Sequence, residues 1–183
     1  MGNTGNRLKE KQFLFLDRDG VINVHRPNDY VKTIDELEFL PGVSEALSIL
    51  SKRFKRIVIV TNQRGVSKGK LTEQTLHAIH EFMLSEIKAK GGRIDAIYYC
   101  IALHEDHPCR KPNGGMALQA KQDFPEIDFS QSIMVGDSKS DIEFGNRLGM
   151  TTVLIKKESP AYATLADFEY HSLIDFALSV ENE

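Results

Sequence analysis

Short apolar runs alternate with amphipathic segments along most of this 183-residue chain. Runs such as 13–16 and 132–135 are typical of buried strands. Between the runs, apolar side chains recur at helical spacing, as Leu76, Ile79 and Met83 do. Strands that alternate with helices form a parallel sheet covered on both faces. We therefore predict an α/β fold, a Rossmann-like three-layer parallel sheet.

The predicted boundaries follow from the same patterns and from capping and helix-breaking residues. The strands are expected at 13–16, 56–61, 95–100, 132–135, 151–155 and 168–170, and the helices at 42–54, 72–91, 116–124, 141–148 and 173–180.

Size and composition limit the function classes. With 41% apolar residues, the chain is expected to be a single domain, 1–183, with a flexible stretch at 1–12. A net charge of -3 argues against a nucleic-acid partner. No stretch resembles a signal peptide or a membrane span. We expect a cytoplasmic monomer, whose two cysteines are free thiols or metal ligands rather than a disulfide.

Polar clusters stand at or just beyond the ends of four predicted strands. Asp17 and Asp19 follow the first strand, and Thr61 closes the second. Lys111 comes after the third strand, and Asp137 follows the fourth. Ligands bind parallel sheets at the carboxyl ends of the strands, so these clusters are expected to converge. Paired carboxylates with a lysine suit a divalent cation and a phosphate ester.

Taken singly, each cluster has an ordinary explanation as a turn, a helix cap or a solvated lysine. Taken together and in this order, they resemble the haloacid dehalogenase superfamily of phosphotransferases. The resemblance implies that Asp17 attacks phosphorus and that Asp19 transfers protons. It implies further roles for four other residues: Thr61 and Lys111 hold the phosphoryl oxygens, Asp137 binds Mg²⁺ with Asp17 and the carbonyl of Asp19, and Asp141 supports Lys111 or the metal.

The intervals between these motifs leave no room for a folded cap domain, so a capless fold is expected. Loops must then select the substrate, and the motifs at 17–23, 61–66 and 109–112 resemble the family of D-glycero-D-manno-heptose 1,7-bisphosphate 7-phosphatases. That resemblance implies a sugar-phosphate substrate used in making heptose for lipopolysaccharide or surface glycans. The substrate-binding residues it implies are His25, Arg26, Tyr30, Asn62, Gln63, Arg64 and Arg110.

Two other functions stay open at this point. Histidinol-phosphate phosphatases share most of these motifs, and polynucleotide 3′-phosphatases also use a capless site. A nucleic-acid substrate calls for a basic track with aromatic side chains, and the sequence offers only scattered lysines. A non-catalytic binding domain is disfavoured, because a chemically competent residue occupies every catalytic position.

A short loop after the third strand carries Cys100, His104, His107 and Cys109. Two thiolates and two imidazoles form a tetrahedral zinc set. The resembled family often binds structural zinc here, although the spacing in this chain differs. The alternative is a metal-free loop with Cys100 buried and both histidines solvated.

Overall fold

A six-stranded parallel sheet forms the centre of the computed structural model, which describes residues 6–156 and 161–181. The strands are β1 (Phe13–Leu16), β2 (Arg56–Asn62), β3 (Ala96–Cys100), β4 (Ser132–Gly136), β5 (Thr151–Ile155) and β6 (Phe168–Tyr170). The helices are α1 (Asn6–Lys9), α2 (Val43–Arg53), α3 (Glu73–Ala89), α4 (Gly115–Asp123), α5 (Lys139–Arg147) and α6 (Leu173–Glu181), and short 3₁₀ turns lie at Ile34–Glu36, Phe129–Gln131 and Ala161–Leu165. The predicted fold class and order of elements are confirmed, with boundaries displaced by one or two residues.

Alternation along the strands divides the core between the two faces of the sheet. In β1, Leu14 and Leu16 pack into one cluster with the apolar faces of α2, α3 and α6. Phe13 and Phe15 point the other way, into a cluster built with α4 and α5. Because successive side chains of a strand face opposite sides, a wholly apolar strand requires helices on both faces. Three layers result.

The strand order places β1 at the switch point of the sheet. The order is β3-β2-β1-β4-β5-β6, so the chain leaves β1 toward one edge and returns to its other side at β4. In such sheets the connections diverge at the switch point and leave a crevice beyond the carboxyl ends of the strands. Asp17 lies there, as the first residue after β1.

The intervals 17–61 and 61–111, both fully described, contain no cap domain. The first holds a 3₁₀ turn, α2 and β2, and the second holds α3 and β3. None of the described helices combines the length and the apolar character that a membrane span requires.

The predicted flexible stretch 1–12 is partly ordered. Residues 1–5 lie outside the described part of the chain, but α1 follows, and Leu8 is only 1% exposed in the core. Arg53 donates hydrogen bonds to the carbonyls of Leu8 and Lys11, at 3.3 and 3.0 Å. The Leu8 side chain and Arg53 therefore help to hold this segment against α2, and backbone hydrogen bonds of Gln12 with Gln131 and Lys55 add to them.

Candidate active site

Asp17 and Lys111 form the centre of the polar site at the end of β1. Lys111 Nζ lies 2.9 Å from Asp17 Oδ1 and 2.6 Å from Asp141 Oδ1. The ammonium also donates to the carbonyl of Val60, at 2.7 Å. Asn62 fixes the lysine backbone, since its amide accepts from Lys111 N–H and donates to Lys111 C=O, at 3.1 and 3.2 Å. Two strand ends therefore orient one buried cation.

The electrostatics of this pair are unequal. Burial and the nearby carboxylate of Asp141 raise the pKa of Asp17 to about 7, although Lys111 opposes them. Burial would lower the pKa of Lys111, but Asp141 and Asp17 raise it above its ordinary value, so the lysine stays charged. One lysine does not balance the acidic groups around it.

Asp137 completes an acidic cluster with Asp17 and Asp141, whose carboxylate oxygens lie within 4.8 Å of one another. Gly20 makes room for it. A β-carbon on Gly20 would lie 1.9 Å from Asp137 Oδ2, and the φ of +85° at Gly20 also disfavours other residues. Burial and Asp17 raise the pKa of Asp137 to about 8. Oxygen ligands that repel one another at this range fit a hard divalent cation such as Mg²⁺.

Asp141 belongs to a capping box at the start of α5. Its carboxylate accepts from Ser138 N–H at 3.0 Å and from the Ser138 hydroxyl at 2.6 Å, while its other oxygen meets Lys111. A β-carbon on Gly136 would come within 2.1 Å of Asp141 Cβ. Because Ser138 is the N-cap residue of this capping box, the helix begins at Lys139 rather than at the predicted residue 141.

Asp19 is held by three donors. Arg18 Nη2 lies 3.0 Å from each of its oxygens, Asn23 Nδ2 donates at 2.8 Å and Gln63 Nε2 at 2.9 Å. Burial would raise the pKa of Asp19, but the charge of Arg18 and these hydrogen bonds bring it below its ordinary value. Without a cation, the pKa of Asp19 therefore lies below that of Asp17, which is the reverse of the order that a general acid and a nucleophile need, and a cation beside Asp17 would lower its pKa.

The structure corrects the prediction made for Gln63. It was predicted to contact substrate, but it is 2% exposed and does not line the cavity. Its amide donates to Asp19 and, at 2.8 Å, to the hydroxyl of Thr61. The residue turns inward because its amide links these two side chains behind the site.

A cavity of about 750 Å³ opens above these groups. Its walls include the predicted residues other than Gln63 and the cysteine-histidine loop: Asp17, Asp19, His25, Arg26, Tyr30, Thr61, Asn62, Arg64, Arg110, Lys111, Asp137 and Asp141. Sequence reasoning missed Lys68, Lys70 and Lys139, which also line it. Loops were expected to select the substrate, but composition does not separate a lysine facing a cavity from one facing solvent.

Arg110 is buried at the edge of this cavity. Its guanidinium donates to the carbonyl of Leu103 and lies 3.6 Å from the exposed carboxylate of Glu105. Arg110 was predicted to bind substrate, and a contact with an anionic group of the substrate in the cavity would replace its contact with the solvated Glu105.

The cysteine-histidine loop also differs from expectation. Cys100 and Cys109 form a disulfide, which corrects the prediction of free thiols or metal ligands. Cys100 ends β3, and the chain returns to it nine residues later at Cys109, just before Lys111. The α-carbons of the two cysteines are 5.6 Å apart. His107 lies close to both sulfurs, but His104 is not part of that group. The four predicted zinc ligands are therefore not assembled.

Comparison with known proteins agrees with this geometry. A family model described as HAD-hydrolase-like matches residues 108–174. The chain is 36% identical over 186 aligned residues to the D-glycero-beta-D-manno-heptose-1,7-bisphosphate 7-phosphatase of Salmonella typhi, covering 93% of this chain and 95% of the relative. It is 38% identical over 145 residues to the D-glycero-alpha-D-manno-heptose-1,7-bisphosphate 7-phosphatase of Campylobacter jejuni, covering 79% and 82%.

A solved structure extends the comparison. The D,D-heptose 1,7-bisphosphate phosphatase of B. bronchiseptica, complexed with magnesium and phosphate, superposes with a TM-score of 0.82 at 28% identity, covering 93% of this chain and 98% of that one. The fold and the carboxylate-lysine site are thus those of a haloacid dehalogenase-like phosphatase, a phosphoric monoester hydrolase. Within that class, the chain belongs to the D-glycero-D-manno-heptose-1,7-bisphosphate 7-phosphatase family.

Proposed function

We propose that this chain removes the 7-phosphate of D-glycero-D-manno-heptose 1,7-bisphosphate through an aspartyl-phosphate intermediate. The observation that carries the proposal is the buried Lys111 ammonium between Asp17 and Asp141 at the floor of a cavity wide enough for a sugar. The curated relatives support the same substrate.

The side chains supply each step of the reaction. A carboxylate oxygen of Asp17 attacks phosphorus, the bond from phosphorus to the sugar oxygen breaks, and Asp19 gives that oxygen a proton. Water then attacks the aspartyl-phosphate and gives a proton to Asp19, and Asp17 and inorganic phosphate are released. Lys111 and Thr61 hold the phosphoryl oxygens, which bear the developing charge.

Mg²⁺ fits the acidic cluster. Asp17, Asp137 and the carbonyl of Asp19 would hold the ion, with Asp141 supporting through Lys111. When bound, Mg²⁺ offsets the negative charge that would otherwise keep a phosphate away from Asp17. The raised pKa values of Asp17 and Asp137 support this assignment, because both carboxylates lack sufficient positive charge nearby.

The basic rim of the cavity favours a bisphosphate. Arg64 and Lys70 line the cavity, and neither makes an ion pair with any residue in the ranges 6–156 and 161–181. Arg110 adds a third cation, and the carboxylate nearest to it, that of Glu105, is exposed. Cations at the edge of the cavity that have no buried anionic partner are suited to a second phosphate, and arginine binds phosphate in a bidentate manner.

A phosphate-release assay tests the proposal against its alternatives. The panel contains both anomers of the heptose bisphosphate, histidinol phosphate and a 3′-phosphorylated oligonucleotide. We expect kcat/KM to be highest for one heptose anomer by at least about tenfold. Asp17→Asn is the matched control and should lose activity by several orders of magnitude with an unchanged circular dichroism spectrum. Preference for histidinol phosphate or the oligonucleotide would refute the assigned substrate.

We further propose that the reduced loop binds structural zinc through Cys100, His107 and Cys109, with His104 approaching to complete the set. The ligand atoms of Cys100, His107 and Cys109 lie within 4.8 Å of one another, which supports this. Elemental analysis of reduced, untagged protein should then give about one zinc per chain; substoichiometric zinc with two titratable thiols would contradict it. We also propose that the protein is a cytoplasmic monomer, and light scattering tests the oligomeric state.

A further inference from the structure

Arg18 lies between the two catalytic aspartates in the sequence, and its side chain is buried. Its side chain is 1% exposed, and one nitrogen, Nη2, contacts both oxygens of Asp19 at 3.0 Å. The other terminal nitrogen, Nη1, lies 3.1 Å from Nε2 of His80. Burying a guanidinium is costly unless its hydrogen bonds are satisfied, and Arg18 Nε is buried with no hydrogen-bond partner among the described residues. The contact of Nη1 with His80 is therefore one of the few that offset this cost.

His80 lies on α3, remote from Asp19 in sequence, and it is buried. Because an arginine can only donate, Nε2 of His80 must be the acceptor, and the ring must be neutral in this contact. Burial and the charge of Arg18 lower the pKa of His80 to about 3. The ring of Tyr99 packs on it at 5.8 Å between centroids, which limits its rotation.

We propose that His80 is a positioning residue, which acts through Arg18 to hold the carboxylate of Asp19 in the orientation that transfers a proton to the leaving oxygen. The proposal rests on the proposed phosphatase function. It adds a residue on a separate helix that touches neither substrate nor metal ligand.

The choice of a neutral acceptor has a physical reason. A carboxylate in place of His80 would neutralise Arg18 and weaken its hold on Asp19. A neutral imidazole satisfies Nη1 and leaves the full guanidinium charge facing Asp19. Asn23 and Gln63 hold the same carboxylate from other directions. A carboxylate has about four acceptor positions, and with Arg18 these side chains fill them with two hydrogen bonds at each oxygen, so one hydrogen bond must give way when Asp19 carries the proton.

The test compares two leaving groups. A sugar oxygen must receive a proton as it leaves, whereas p-nitrophenolate departs without one. Loss of correct Asp19 orientation should therefore lower kcat/KM for the sugar phosphate and largely spare p-nitrophenyl phosphate. We expect His80→Leu to lose about 10- to 100-fold on the sugar phosphate and less than about threefold on the aryl phosphate.

Two variants control the comparison. His80→Gln places an amide oxygen where Nε2 was, and it should restore the sugar-phosphate rate to within about threefold of the parent. His77→Leu alters the same helix and removes a contact with the Tyr99 hydroxyl rather than with Arg18; both substrates should be unaffected. If His80→Leu does not fold, Arg18→Lys, which keeps the charge but cannot reach both partners, should show the same selective loss.

Equal losses on both substrates, or a glutamine variant as impaired as the leucine variant, would overturn the positioning role while the phosphatase function stands. A parent protein that hydrolyses no alkyl phosphate would instead refute the proposed function, and the positioning role with it.

Discussion

Replacing Asp17, the proposed nucleophile, should stabilise the metal-free protein. Asp17 has a pKa raised from 3.8 to about 7, chiefly by burial and by Asp141. Each pKa unit corresponds to about 1.4 kcal/mol, so ionised Asp17 costs the fold at most about 4 kcal/mol. An asparagine at this position would lose the ion pair with Lys111, and the cluster would relax, so we expect Asp17→Asn to gain about 1–3 kcal/mol at pH 8 in EDTA.

The gain should depend on pH in a defined direction. Between pH 3.8 and about 7 the native state holds a proton on Asp17 that the unfolded chain has released, so the destabilisation is absent at low pH and complete above about 7. The variant should therefore exceed the parent in melting temperature by about 2–10 °C at pH 8, and by much less at pH 5. Thermal unfolding followed by circular dichroism measures both. Mg²⁺ should raise the melting temperature of the parent more than that of the variant.

Asp141→Asn is the matched control. It also removes a buried charge from the cluster, but Asp141 caps α5 through Ser138 and pairs with Lys111. We expect this variant to be destabilised at both pH values, because cap and ion pair are lost. Equal or lower stability of Asp17→Asn at pH 8, or an advantage of the same size at pH 5, would refute the electrostatic reasoning.

Three further outcomes follow from the site. Phosphate release should vanish in EDTA and return when Mg²⁺ is added, and it should fall when Ca²⁺, which takes more ligands, replaces Mg²⁺. Full activity in excess EDTA would contradict the metal assignment. Arg110→Ala should raise KM for a bisphosphate by about tenfold or more but change KM for a monophosphate little, and equal changes would indicate that the ion pair with Glu105 is its main role. The pKa of His80 is about 3 in the folded protein, against 6.5 when unfolded, so the parent should lose up to about 1.4 kcal/mol of stability per pH unit as pH falls from 6.5 toward 3. His80→Gln should lose less, as measured by urea titrations at several pH values. Identical slopes of stability against pH for the two proteins would contradict this.

The sequence predicted the fold because each level of its pattern agrees. The apolar runs are too short for helices, and polar residues follow them. This pattern predicts a parallel sheet whose strands all end in polar residues at the same edge, and the structure has that edge. What the sequence could not provide was the direction of side chains within that edge. Gln63 could face a ligand or the interior, and only the positions of Asp19 and Thr61 decide it. His80 carries the period of a core helix position, and nothing local links it to Arg18.

The prediction that Cys100 and Cys109 are free thiols or metal ligands differs from the structure for another reason. Cysteine spacing and compartment argued for thiols, but whether two sulfurs meet depends on the path of the loop between them. That path is fixed from outside, by the need for Lys111 to reach Asp17 from the end of β3. Long-range geometry of this kind is absent from local sequence patterns.

A capless phosphatase must organise its reactive groups without a closing lid. Enzymes with lids can complete the site on closure, when binding energy orders the catalytic groups. Here the groups are already fixed from behind: Lys111 by Asn62, and Asp141 by the start of α5. Asp19 is fixed from the same direction, through Arg18 and His80. The basic rim of the cavity, formed by Arg64, Lys70 and Arg110, lies on the open side of the site. Because preorganised groups need no reorganisation during reaction, this division allows the rim to change its substrate without disturbing the chemistry below.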